Sequence, residues 1–288
     1  MKRLISQRYE RKTVGTMPKE CFLEFSYYTD PGEYASLYDE VSTSLEGISE
    51  VVHTQLIHPM AAQLLSIELS EEQKKDEERC TTMRGILTML QRRAPIGLSS
   101  ERKNHQKVVN NCRGHALFMT SILKSRGIPA RLRCGFAPYL PFDFSCDHTV
   151  LEAWLDGSWR LIDADATDGF VRGRGFDFSV YDIPHEHFDF GWEAWQRVRQ
   201  GRDPIERYGI PGGISGWPFL HTAMIRDMLA LFGQEVQVWE CPQFRDIPES
   251  EVKPTLDRIA GLMRDTDDNL EELREYHDML ELTDLKKG

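Results

Sequence analysis

The stretch NNCRGHALFMTSILKSRGIPARLRCGFAP, residues 110–138, holds three local signals in a row. Ala116, Met119 and Leu123, with Leu117, Phe118 and Ile122 beside them, recur at helical spacing, and Gly127 then Pro129 stop the pattern. ARLRCGF, residues 130–136, then reads as a strand. Cys112 therefore falls in or beside the first helical turn, where partial positive charge and unpaired N–H groups favour a thiolate and offer an oxyanion site. A small buried hydrophobe would also suit that position. A nucleophile needs an imidazole to take and return its proton, and a carboxylate to hold that imidazole in one tautomer.

Both groups lie just downstream. HTVLEAWLD and SWRLIDAD are runs rich in β-branched and aromatic residues joined by Asp156-Gly157-Ser158, a hairpin signal. His148 begins the first run and Asp163 ends the second. Folded about that turn, the two sit side by side or within one residue of register. The expectation is a helix bearing Cys112 packed on the sheet face that bears His148 and Asp163.

The order of these segments, NCRGHALFMTSILKSRGIPARLRCGF, then DHTVLEAW, then WRLIDAD, resembles the transglutaminase-like core of the papain-like cysteine superfamily over roughly residues 105–168. The resemblance implies an α+β fold, with the cysteine-bearing helix packed on an antiparallel sheet and further helices at both ends. It implies Cys112 as nucleophile, His148 as general base and acid, and Asp163 as the residue that orients the imidazole. The chain has Ala164 where the family often has Pro after the final Asp, and Asp165 shares the strand face of Asp163 in an extended strand, so Asp165 stays open as the acid. Asn110 and Asn111 are candidates for a second oxyanion donor, against their simpler reading as helix caps. His115, one turn after Cys112, could tune the thiolate but reads more simply as a satisfied surface histidine, and Asp147 as a solvated or loop-capping acid.

Composition limits the partners. The chain has 40% apolar and 28% charged residues, an ordinary globular balance, and its 35 basic against 46 acidic side chains give a net charge of −11. That charge opposes phosphate backbones and anionic lipid, so neither nucleic acid nor membrane is expected. The basic segment MKRLISQRYERKTVGTMPKE lacks the apolar centre of a signal peptide, no run of about 18 apolar residues occurs, and a cytoplasmic protein is expected. The six cysteines show no C-x-x-C pair and read as reduced thiols. PHEHF reads as a polar loop rather than a metal site, and DTDDNLEELREY as a helix start, because Leu270 and Tyr276 stand where a calcium loop has Gly and Glu. No cofactor is expected.

Along the chain, KECFLEFSYY suggests a short strand and residues 33–44, 46–58 and 71–93 suggest helices. Residues 168–218 read as loops around one short helix near 191–200. The tail is helical, with Leu256, Ile259, Leu262, Leu270, Leu273 and Leu280 as its apolar stripe. The aromatic cluster Tyr181, Phe188, Phe190, Trp192 and Trp195 suits a core better than a cleft wall. The expected organisation is a helical N-terminal part (1–95), a catalytic core (96–185) and a helical C-terminal part (186–288), together one compact unit. The leading functional expectation is acyl chemistry at Cys112 on an amide- or acyl-bearing substrate, by hydrolysis or by transfer to an amine. The alternative is a non-catalytic binding module that retains the fold.

Overall fold

The computed structural model describes residues 19–212, 214–241 and 249–284. The segment read for a signal peptide lies almost wholly outside them. In chain order the elements are α1 (Leu45–Gln55), β1 (Leu56–Ile57), α2 (Pro59–Leu64), α3 (Asp76–Arg79), α4 (Met83–Arg93), β2 (Val108–Val109), α5 (Cys112–Ser125), β3 (Ala130–Ala137), β4 (Ser145–Leu155), β5 (Ser158–Ile162), α6 (Asp168–Gly173), β6 (Asp189–Phe190), α7 (Gly191–Arg199), β7 (Tyr208–Ile210), β8 (Ile214–Ser215), α8 (Trp217–Ala230), α9 (Glu249–Met263) and α10 (Thr266–Asp284). This is an α+β fold built on a mainly antiparallel sheet, in the order β6-β3-β4-β7-β8 with β5 also paired to β4.

Local chemistry explains the central unit. The side chain of Asn111 accepts the N–H groups of Arg113 and Gly114, which starts α5 at Cys112. At its far end Gly127 takes a φ of 71°, and the N–H groups of Gly127 and Ile128 reach back to the carbonyls of Lys124 and Leu123. That is a Schellman stop, which a β-carbon would strain. Asp156 and Gly157, at φ 50° and 87°, make the tight turn of the β4–β5 hairpin, closed by the Leu155–Ser158 pair.

Helix α5 packs on the sheet through Phe118, Met119 and Ile122 against Leu132, Leu151, Ala153 and Ile162, all buried. Full burial of each large side chain contributes about 1.5–3 kcal/mol. These strand positions alternate with His148 and Val150, so α5 covers the sheet positions between them rather than the His148 face, and the cysteine meets the histidine from its N-terminal tip. A second cluster, including Val150, Leu161, Phe188, Trp195, Met224 and Leu256, holds α7, α8 and α9. Helix α8 lies along β3, where the Asp227 carboxylate takes the Cys134 N–H at 2.8 Å and both Nε and Nη2 of Arg133 at 2.8 and 2.9 Å. Four of the five clustered aromatics, Phe188, Phe190, Trp192 and Trp195, are buried here.

Several local expectations change. The segment at 19–28 opens with a 3-10 turn, Lys19–Phe22, rather than a strand, because Phe22 turns inward against Trp159. Residues 33–44 form only the 3-10 turn Gly32–Tyr38. The helix expected over 71–93 breaks at 80–82: Asp76 is drawn inward by Arg93, at 2.7 and 2.8 Å, and by the Val109 N–H, while Thr82 caps a fresh start at Met83. Between 168 and 218 lie α6, β6, α7, β7 and β8, and PHEHF folds as the 3-10 turn His185–His187 with His187 stacked on Phe178. DTDDNLEELREY leads into α10, and no cluster suited to a metal occurs among the described residues. No described helix is long and apolar enough to cross a membrane.

Gly135 pairs directly with His148 across β3 and β4, and a β-carbon there would collide with the backbone oxygen of Asp189 and stand 2.8 Å from the Phe188 ring. Gly135→Ala must therefore push β6 off the sheet. It should cost about 1–3 kcal/mol, read as a lower urea midpoint with an unchanged slope. An unaltered midpoint would show that β6 yields freely.

Candidate active site

The start of α5 is built in layers. Asn110 donates from Nδ2 to the Cys80 carbonyl and accepts the Asn111 N–H on Oδ1, and Gly114 is needed because Asn110 fills the space where a β-carbon would project. Asn111, the cap, donates from Nδ2 to Gln237 Oε1 at 3.0 Å. Both asparagine carboxamides are thus committed to structure. Arg113, buried, binds the Glu235 carbonyl through Nε and the Thr81 carbonyl through Nη2. Residues 235–237 are in this way fastened over the helix start from two sides.

His148 Nε2 lies 2.8 Å from Asp163 Oδ2, and the ring also hydrogen-bonds the Cys112 thiol. With Nε2 engaged by Asp163, Nδ1 is the nitrogen left for the sulfur. His148 is 2% exposed and Asp163 fully buried. Asp163 uses both oxygens: Oδ2 also accepts from Tyr139 at 2.7 Å, while Oδ1 accepts the N–H groups of Asp165 at 2.8 Å and Ala166 at 3.0 Å. Cys112, His148 and Asp163 are brought together in one chain of contacts. The β4–β5 ladder pairs Leu151 with Ile162, so Asp163 falls opposite Val150, and His148 is its diagonal neighbour on the same face.

Asp165 does not share that face. The ladder ends at Ile162, the Asp163 N–H leaves it for the Val180 carbonyl, and the turn closed by Asp163 Oδ1 carries Asp165 elsewhere. Its carboxylate lies 3.8 Å from His58 and 3.6 Å from His115. Alternation fails for the pair because it holds only while the chain stays extended. His115 is not a surface residue: it is 1% exposed, with Nδ1 donating to the Asn111 carbonyl at 2.9 Å. Burial pushes it down to about 4, so it is neutral. Asp147 is not solvated either, since Arg226 binds both of its oxygens at 3.0 and 3.1 Å.

The residue that sequence reasoning missed is His58. Its ring is a second imidazole partner of the Cys112 thiol, beside His148. Two residue pairs of parallel strand, Leu56 with Val108 and Ile57 with Val109, set it beside Asn110 and so within reach of Cys112. The readable signal is local: His58 precedes Pro59, a residue suited to the first position of a helix, and its Nδ1 caps α2 by accepting the Met60 N–H at 3.1 Å. Nothing in that signal points to Cys112.

The electrostatics follow from these contacts. Burial alone would push the Cys112 thiol up; the charge and hydrogen bond of His148, with the bond from His58, outweigh it and bring the thiol down to about 7. Burial opposes the charge on His148, but Asp163 and the sulfur hold it well above the usual histidine range. Asp163 is kept well below the carboxylate range against its own burial by His148 and its hydrogen-bond donors. With the thiol near 7, about half of the sites carry a thiolate beside a protonated His148 at neutral pH. Cys80, Cys134 and Cys146 are pushed above the ordinary range by burial, to about 12, 11 and 12.

Residues 71–164 match the Transglutaminase-like superfamily, and this segment contains Cys112, His148 and Asp163. No curated protein matches the chain. Among solved structures, one described as "a Putative Cysteine Protease from Cytophaga hutchinsonii" is similar at 18% identity over 50% of this chain and 41% of that one, with a TM-score of 0.31.

With its thiol near 7, Cys112 should be alkylated about tenfold faster at pH 8 than at pH 6, whereas an ordinary thiol gains roughly 75-fold. His148→Ala should restore the steep dependence. Iodoacetamide labelling followed by peptide mass analysis reads both, and a steep wild-type profile would dissolve the ion pair.

Proposed function

We propose that the protein is an enzyme of cysteine-dependent acyl chemistry, with Cys112 as nucleophile, His148 as general acid and base, and Asp163 as the group that orients the imidazole. The observation that carries this reading is the continuous set of bonds from Asp163 through His148 to a sulfur at the first position of a capped helix. The thiolate attacks the carbonyl carbon of an amide or related acyl substrate. The C–N bond then breaks, and the leaving amine takes the proton from His148 Nδ1. A thioester on Cys112 and a free amine result. Water or an acceptor amine, deprotonated by His148, attacks the thioester and releases the sulfur as thiolate. Neither half-reaction requires a cofactor. The substrate is an amide- or acyl-bearing small molecule, peptide or protein, with nucleic acid and membrane disfavoured by the charge of −11.

The oxyanion would meet the Cys112 N–H, which has no intrahelical acceptor at the first position of α5. Gln237 supports a second donor. Asn111 Oδ1 is committed as an acceptor, so its Nδ2 is the donor facing Gln237, and the Gln237 atom it meets must be Oε1. That fixes Nε2 as the other atom, buried and without a hydrogen-bond partner among the described residues, beside the cysteine's helix start. A buried amide N–H left unpaired costs about 1–3 kcal/mol, a cost that an incoming oxyanion would remove.

p-Nitrophenyl acetate tests the reading without knowledge of the substrate. Wild type should release nitrophenol in a burst and carry one acetyl group at Cys112 by peptide mass; Cys112→Ala should do neither. His148→Ala should slow acylation by about 10²–10⁴. Asp163→Asn should be the more damaging of the two acid substitutions, because Asp163 alone touches His148. Gln237→Ala should slow acylation by about 10²–10³ while leaving the alkylation profile of Cys112 unchanged. Wild type that never acylates would instead favour a binding module.

A further inference from the structure

The sulfur of Cys112 has two imidazole neighbours, and the catalytic reading uses only one of them. His148 approaches with Nδ1, its other nitrogen held by Asp163, so it can gain or lose the proton that faces the sulfur. His58 is wired the other way. Its Nδ1 lone pair accepts the Met60 N–H at 3.1 Å, which places the ring proton on Nε2, and Nε2 is also the atom 3.8 Å from Asp165 Oδ2. A ring wired so cannot serve as a base at Nε2, because that nitrogen already carries hydrogen. Nor can it take a second proton at Nδ1 without breaking the cap of α2.

Resting on the reading of Cys112 as nucleophile, we propose that His58 is a further catalytic residue of that site: a neutral, fixed N–H donor to the Cys112 sulfur, held in one tautomer by the start of α2. The proton of the Cys112 thiol passes to His148 Nδ1, and the His58 Nε2–H bond stays intact throughout. Its donated hydrogen bond stabilises the thiolate before attack and weakens as the sulfur becomes a neutral thioester. The work of the two histidines is thereby divided, one carrying the proton and the other setting how much of the sulfur is ionised.

The groups facing His58 are Cys112, His148, His115, Asp165 and, more remotely, Glu77. His115 is neutral and contributes no cation. Burial disfavours a charged His58, while Asp165 and the sulfur draw a proton toward it and raise it to about 9. The cap opposes that uptake. The two assignments, neutral donor and imidazolium, make opposite predictions for Asp165. If His58 is neutral, Asp165 acts on the sulfur only as a like charge that raises its pKa, and Asp165→Asn should leave the alkylation profile as shallow as wild type or make it shallower. If His58 is a cation held by Asp165, the same change removes that cation and steepens the profile.

The experiment is the pH dependence of iodoacetamide labelling at Cys112 in the full chain, for wild type, His58→Asn, His58→Ala, Asp165→Asn and His148→Ala. Asparagine keeps an oxygen that caps α2 but is too short to reach the sulfur. A hydrogen bond to a charged acceptor is worth about one to two pH units. His58→Asn should therefore raise the labelling ratio between pH 8 and pH 6 from about tenfold to roughly 50-fold or more. His58→Ala should show the same ratio with a lower melting temperature, because it also loses the cap. A wild-type ratio in His58→Asn, or a steeper ratio in Asp165→Asn, overturns the proposal. If His148→Ala leaves the wild-type ratio unchanged, the nucleophile reading fails first and takes this inference with it; if only the His58 variants are unchanged, that reading survives alone.

Discussion

A carboxylate at the fully buried Asp163 is the constraint around which the site is arranged. Taking such a charge out of water costs several kcal/mol unless its lone pairs are used. Here four donors use them: Tyr139, His148 and the N–H groups of Asp165 and Ala166. The four donors come from three pieces of backbone. Tyr139 fixes the chain just beyond β3, His148 the first half of β4, and the two amides the turn that ends the β4–β5 hairpin. Removing the charge would release all three, so the acid that bonds the His148 imidazole also locks this corner of the sheet.

A second charged network does the same further along that face of the sheet. Arg131 and Arg133 share Glu152, and each has a further acid: Asp267 near the start of α10 for Arg131, Asp227 of α8 for Arg133. Burial opposes the charge on Glu152, and the two guanidinium groups outweigh it and hold the acid down to about 2. A cavity of about 480 Å³ opens over this network, lined by Arg131, Arg133, Phe190, Trp192 and residues 263–268. It lies away from Cys112, and its two arginines are already paired. Their work is to tie C-terminal helices to β3 and β4, which steadies the strand that carries His148.

What the sequence disclosed was what short-range rules govern. The helix that opens at Cys112 announces itself through its 3.6-residue pattern, its asparagine cap and its glycine stop. The hairpin does so through Asp156 and Gly157, and a two-residue turn leaves almost no freedom in register, which is why His148 and Asp163 could be put near one another by counting. What remained hidden depends on contacts between distant segments. The break at 80–82 is imposed by Asp76 turning toward Arg93 and Val109, a pull that outweighs the helical tendency of the acidic run. His58 is placed by a parallel pairing two residues long, too short for any alternating pattern, and Gln237 by two side chains of α5 that reach out to its loop.

The difference between Asp163 and Asp165 shows how much one change of backbone can decide. In a strand the two would point the same way and compete for one imidazole. Because Asp163 Oδ1 captures the N–H of Asp165, the extended backbone ends there and the second carboxylate is delivered to His58 and His115 instead. The first acid thus creates the turn that sends the second away. One aspartate bonds His148, and the other stands beside a histidine whose tautomer is held by the Met60 N–H. In the proposed reading, a sulfur served by these two imidazoles keeps its charge and gives up its proton along a single route, through His148.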